Sequence, residues 1–143
     1  MENQIQKIIT GLFVSTDQRA WTAVEACFAE EVWLDYTSMT GGSPARLSPR
    51  QITESWKTIL PGFEATHHQL GNFMITVNGD KATAFCYGTA THYLPDAHGN
   101  VWTVAGTYNF ELISKDDQWK ITSMKFNFKY QDGNTALPEK AQR

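Results

Sequence analysis

Apolar residues recur every three or four positions through the first sixty residues, and every second position after about residue 65. Ile5, Ile8, Ile9, Leu12 and Phe13 share one face of a helical repeat, which predicts an amphipathic helix near the N-terminus. Ser15-Thr16-Asp17 interrupts that stripe and supplies capping residues. A second helix is expected next, with Trp21, Val24 and Phe28 on one side and Asp17 placed to cap it. Val32–Tyr36 reads as a short strand: Val32, Leu34 and Tyr36 on one face, Trp33 and Asp35 on the other. A loop over 37–46 follows. Ser48 as N-cap and Pro49 at the first helical position then open a third helix, whose stripe is Ile52, Trp56, Ile59 and Leu60. Pro61-Gly62 ends it.

Four long β-type runs come after, over 66–77, 81–94, 101–114 and 119–130. Asn78-Gly79 is a strong hairpin signal, and Pro95–Asn100 and Lys115–Gln118 supply the other two turns. Three helices followed by an antiparallel meander is the α+β pattern. Residues 132–143 read as a mobile polar tail beyond a domain of 1–131. In the second long run, Ala82, Ala84, Cys86, Gly88, Ala90 and His92 share one face, and Thr83, Phe85, Tyr87, Thr89, Thr91 and Tyr93 the other. Small inward groups let a helix approach closely or leave a cavity. The bulky outer face calls for cover, and a homodimer through that face is expected.

A length of 143 residues with 41% apolar side chains suits one domain with an ample core. Twelve basic residues against fifteen acidic give a net charge of −3, with no basic run, so neither nucleic acid nor an anionic membrane is an expected partner. Cys27 and Cys86 form no disulfide framework and no CxxC knuckle; they read as small hydrophobes in a reducing compartment. The apolar run Ile8–Val14 is too short to span a bilayer and has no basic leader, which points to the cytoplasm. His67, His68, His92 and His98 fit no metal-ligand spacing, and their hairpin is expected to keep the pairs apart, so no metal is expected. Neither a glycine-rich phosphate loop nor a GxSxG elbow is present, and no cofactor is expected.

The adjacent histidines in ATHHQLGNF must point to opposite faces of their strand. Four stretches give the chain a family resemblance: FAEEVWLDY, HHQLGN, VNGDKATA and GTYNFELISKDDQWKI. Over residues 1–130 it resembles the nuclear-transport-factor-2-like superfamily, an NTF2-like (cystatin-like) cone of three helices on a curved antiparallel sheet enclosing a pocket. Within it the sequence is similar to the SnoaL-like polyketide-cyclase branch, which includes scytalone dehydratase and hexachlorocyclohexane dehydrochlorinase. The resemblance implies a cofactor-free lyase or isomerase acting on a small, mostly apolar molecule. TDQRAW and THHQLGN match the branch's Asp and His motifs, so Asp17 and His68 stand at the catalytic positions, and Tyr36 at a carbonyl-binding tyrosine. Thr16 replaces a second such tyrosine, and the dehydratase's second histidine finds no counterpart on Val101–Phe110.

An inward His68 is a general-base candidate, because imidazole titrates near working pH and an ionised Asp17 would fix its tautomer. Asp17 is equally a plain helix cap. Asp35 offers a rival base of the kind ketosteroid isomerases use. Trp33, Ile59, Phe63, Gly88, Ala90, Val104 and Tyr108 are the expected pocket walls. A non-catalytic binding module of the same superfamily is the alternative, and a sealed cone or an Asp17 turned away from His68 would favour it.

Overall fold

The computed structural model describes residues 1–142; Arg143, the last residue of the expected tail, lies outside them. Helices α1 (Glu2–Asp17) and α2 (Trp21–Ala26) lead into β1 (Phe28–Asp35). A one-turn α3 (Thr37–Thr40), β2 (Ala45–Leu47), α4 (Pro49–Lys57) and a 3-10 turn (Leu60–Gly62) follow. Then come β3 (Ala65–Asn78), β4 (Lys81–Tyr93), β5 (Val101–Lys115), β6 (Gln118–Gly133) and α5 (Leu137–Ala141). The six strands form one sheet in the order β2-β1-β6-β5-β4-β3. All neighbours are antiparallel except β1 and β6, which run parallel.

Register shifts at Gly71/Met74 in β3 and at Ala105/Gly106 and Glu111/Leu112 along β5 curl the sheet. An extra residue on one strand bends it and raises the local twist. Gly106 permits one such bend: a Cβ there would run into the Asn127 carbonyl and the Phe126 ring. Helix α1 lies along β3 in the opposite direction, since its last residue meets the start of that strand. Ile5, Ile9, Leu12 and Phe13 are buried, in one core with Val24, Val32 and Ile52. Helix α4 starts where the sequence signalled: Ser48 accepts from the Gln51 amide at 3.2 Å, and the Gln51 side chain accepts from the Ser48 amide at 2.8 Å.

Several local expectations are corrected. Ser15–Asp17 does not break the first helix; α1 continues through Asp17, and the Thr16 hydroxyl donates to the Leu12 carbonyl at 2.7 Å. Asp17 does not cap α2, whose N-cap is Ala20, and Phe28 begins β1 rather than extending α2. The segment read as a loop holds α3 and β2, with Leu47 paired to Val32. The tail folds back: Leu137 is fully buried, Ala141 packs against Gly62, and the Lys140 ammonium lies 2.8 Å from both oxygens of Asp96. On the outer sheet face Tyr87 is 45% exposed, with the Lys129 ammonium 4.6 Å above its ring.

Candidate active site

Strand alternation at the start of β3 turns Thr66 and His68 inward and leaves His67 exposed. The last turn of α1 delivers Asp17 to the same place. One Asp17 oxygen, Oδ2, accepts from the His68 backbone N–H at 2.7 Å. The other, Oδ1, accepts from the Thr66 hydroxyl at 2.9 Å and lies 2.7 Å from His68 Nδ1. A carboxylate only accepts, so Nδ1 carries a proton, and in the neutral imidazole Nε2 is the lone pair. Nε2 has no hydrogen-bond partner among the described residues. Both side chains are mostly covered, at 12% and 18% exposure. Burial pushes the Asp17 carboxyl up, but the hydrogen bonds and charge of His68, with Thr66, outweigh it and leave its pKa lowered. The capping role for Asp17 is thereby excluded: every bond its carboxylate makes goes to β3.

His68 borders a cavity of about 440 Å³ between the sheet and the helices. Ile59, Ala90, Val104 and Tyr108 line it, as does Tyr36, together with Leu34, Trp56 and Phe126. Pro138 and Gln142 reach it from the C-terminal segment. Tyr36 follows β1 and precedes α3, so it is not a strand residue. Its hydroxyl neighbours that of Tyr108. Burial holds both phenols above their usual range, so both remain protonated donors. The Phe13 ring packs between His68 and Tyr108, with centroids 5.1 and 5.0 Å away.

Three expected wall residues are not walls. Trp33 is 41% exposed on the outer side, with the Arg46 guanidinium 5.7 Å over its ring, because alternation along β1 turns it away from Leu34. Phe63 is buried behind the site, 4.9 Å from the His92 ring and 6.1 Å from Trp102. Gly88 lies beneath Tyr108; a Cβ there would collide with that ring, so it shapes the cavity without lining it. Asp35, the rival base, accepts from the Thr37 amide at 2.9 Å and the Thr37 hydroxyl at 2.7 Å. That local turn, with Thr37's hydrogen bonds as the main cause, lowers its carboxyl pKa.

For His92 the face is as expected but the distance from His68 is not. The hairpin does not keep the histidines apart: Thr66 pairs with His92, and the His68 and His92 rings lie 6.3 Å from each other. His92 is 5% exposed and stacks on Trp102 at 4.3 Å. Its Nδ1–H donates to the Trp102 carbonyl at 3.0 Å. Burial, partly offset by that bond, pushes its pKa down to about 4, so it is neutral at pH 7. The signal was present in its inward parity on β4. His98 stands apart on the 95–100 turn. Among the described residues, no three metal-ligating side chains cluster.

The sequence profile of the SnoaL-like domain matches residues 1–125. This chain belongs to the SnoaL-like family. Its fold is that of the NTF2-like superfamily, and solved structures share it closely. The Kfla4162 protein of Kribbella flavida superposes with a TM-score of 0.90 at 24% identity, over 96% of each chain. The hexachlorocyclohexane dehydrochlorinase LinA-type3 of Novosphingobium barchaimii gives 0.78 at 14% identity, over 94% of this chain and 90% of that one. In sequence, the uncharacterized protein Rv2910c of Mycobacterium tuberculosis is 28% identical over 120 residues, 82% of this chain and 78% of its own. No helix of this SnoaL-like chain is long and apolar enough to cross a membrane, among the described residues.

Proposed function

We propose that this SnoaL-like protein is a lyase or isomerase of dehydratase or cyclase type. Its substrate is a small, mostly apolar, cyclic or ketone-bearing metabolite, and the reaction needs no cofactor. One observation carries the reading. The His68 imidazole is held at Nδ1 by Asp17 at 2.7 Å, while its Nε2 has no partner among the described residues beside an apolar cavity. In the proposed reaction Nε2 takes a proton from substrate carbon, and Asp17 stabilises the imidazolium without itself being protonated. The oxygen that gathers negative charge is met by the Tyr36 hydroxyl, directly or through water, with Tyr108 behind it. His92 is a poor base here: a group titrating near 4 takes protons poorly at pH 7.

The dehydrochlorinase that shares the fold is an eliminating enzyme by name, and loss of hydrogen chloride includes loss of a proton. That supports the lyase reading over the binding module, as do the open cavity and the inward Asp17. A cavity near 440 Å³ lies in the range of small-molecule sites. The test starts from native mass spectrometry of the purified protein, which identifies a retained molecule and its chemical class. With a member of that class as substrate, His68→Ala and Asp17→Asn should each lower kcat by about 10²–10⁴-fold. Unchanged turnover in both variants would falsify the proposal.

A further inference from the structure

The turn between α1 and α2 breaks a local rule. Its backbone forms a Schellman motif: the Ala20 amide donates to the Ser15 carbonyl at 2.8 Å, and the Arg19 amide to the Thr16 carbonyl at 3.0 Å. The left-handed residue of such a motif is usually glycine, because a Cβ crowds the backbone there. Here it is Arg19, with φ of 55°. Backbone preference does not account for an arginine at this point, but its side-chain contacts do. Arg19 Nη2 donates to the Leu60 carbonyl at 3.0 Å and to the Phe63 carbonyl at 2.8 Å. Those carbonyls belong to the 3-10 turn and its exit, eight and five residues ahead of His68. The left-handed turn delivers the guanidinium to them, and Asp17 sits two residues before it.

We propose that Arg19 is a positioning residue of the Asp17–His68 pair, tying the turn that carries Asp17 to the segment that delivers His68. Without the tie, Asp17 is held to β3 by the Thr66 and His68 hydrogen bonds and by the packing of α1 on that strand. With it, both arrive on one rigid corner, which also carries Leu60 and, behind His92, Phe63. Supporting groups of this kind hold catalytic side chains within a fraction of an ångström of working geometry. Arg19 is not among the groups that shift Asp17: His68 acts through hydrogen bonds and charge, and Thr66 through a hydrogen bond. Its influence therefore runs through placement.

The inference rests on the pair being the working unit of the proposed reaction, but its test reads geometry and not turnover. The Asp17 carboxyl is followed by carbon-detected NMR during an acid titration of the whole chain, with Asp17→Asn assigning the signal. Arg19→Gly suits the left-handed backbone and should fold with an unchanged or higher Tm. Its Asp17 titration should move upward by about one unit, a tenfold change in proton affinity, as the bonds from His68 loosen and burial remains. His92 and Tyr108 also feel the Asp17 charge, and neither is altered by the substitution. Arg19→Lys keeps the positive charge on a side chain one bond shorter, and should move the titration in the same direction. An unmoved Asp17 in folded Arg19→Gly overturns the proposal. So does a shift in Arg19→Gly that is absent from Arg19→Lys, since charge and not the tie would then be responsible. If Arg19→Gly does not fold, Arg19→Lys decides by the same reading. A displaced Asp17 titration together with an unaffected His68→Ala turnover would keep the tie and remove the catalytic role.

Discussion

The inner face of β4 does two opposite things with the same kind of residue. Ala82, Ala84 and Cys86 are buried in continuous core with Ile5, Ile9 and Phe110. Ala90, a few residues on, lines an open cavity, and His92 flanks it. At the first end these small side chains share one buried cluster with Ile5, Ile9 and Leu12 of α1. At the second end Phe13 and Thr16 of α1, Trp56 of α4 and Ile59 and Leu60 beside the 3-10 turn line the cavity without filling it. Side-chain size alone does not decide whether a sheet is packed or hollow; how closely the covering elements fit over it does. The polar groups follow the same division. His68, His92, Tyr36 and Tyr108 border the hollow, while at the packed end burial pushes the Cys86 thiol up to about 12.

Acid should therefore act on the hollow end, and this is the largest effect expected. His92 titrates near 6.5 in the unfolded chain and near 4 when buried, so between those values the unfolded chain binds a proton that the folded one refuses. Its contribution is fully present above pH 6.5 and is lost as pH falls to about 4, by about 3 kcal/mol. Urea unfolding of His92→Gln against the parent across pH 7 to 4 should show a flatter profile in the variant. Equal slopes would remove His92 from the account. A second window lies lower: the lowered Asp17 contributes stability above about 3.8 that is lost below it, and Asp17→Asn should lose that acid limb.

Next in size is one substitution made at both ends. Ala84→Leu forces three additional carbon atoms into packed core and should cost about 1–3 kcal/mol. Ala90→Leu enters the cavity, should change stability by less than about 1 kcal/mol, and should abolish retention of a ligand in native mass spectrometry. Equal destabilisation at the two positions would mean that the ends do not differ as described. The smallest effect is at Trp33, which was expected in the wall and stands on the outer side. Trp33→Ser should leave ligand retention intact and move stability by no more than about 0.5 kcal/mol.

What could be read from the sequence was whatever local periodicity carries. The Ile5–Phe13 stripe, the Ser48-Pro49 helix start, the Asn78-Gly79 hairpin and the two faces of β4 all follow from backbone geometry within a few residues. Features that depend on a distant partner were not legible. The three residues of β2 form a strand only because β1 lies beside them. Helix α5 is ordered by Gly62 and Asp96, both remote in sequence. Asp17 has the look of a cap, since nothing nearby says that Thr66 and His68 will offer it better bonds. His92 was assigned the correct face, yet the distance to His68 depends on the β3–β4 register, which fixes Thr66 opposite His92. Trp33 shows the reverse: alternation already placed it opposite Tyr36, and alternation decided its side.

The central claim is that His68 Nε2, steadied by Asp17, removes a proton from carbon inside the hollow end. Solvent-deuterium uptake into a bicyclic ketone such as 2-tetralone, followed by mass spectrometry in heavy water, tests it without knowledge of the natural substrate. Uptake should be catalysed by the parent chain and fall by about 10²-fold or more in both His68→Ala and Asp17→Asn. Catalysed uptake that persists at the parent rate in both variants would contradict the account.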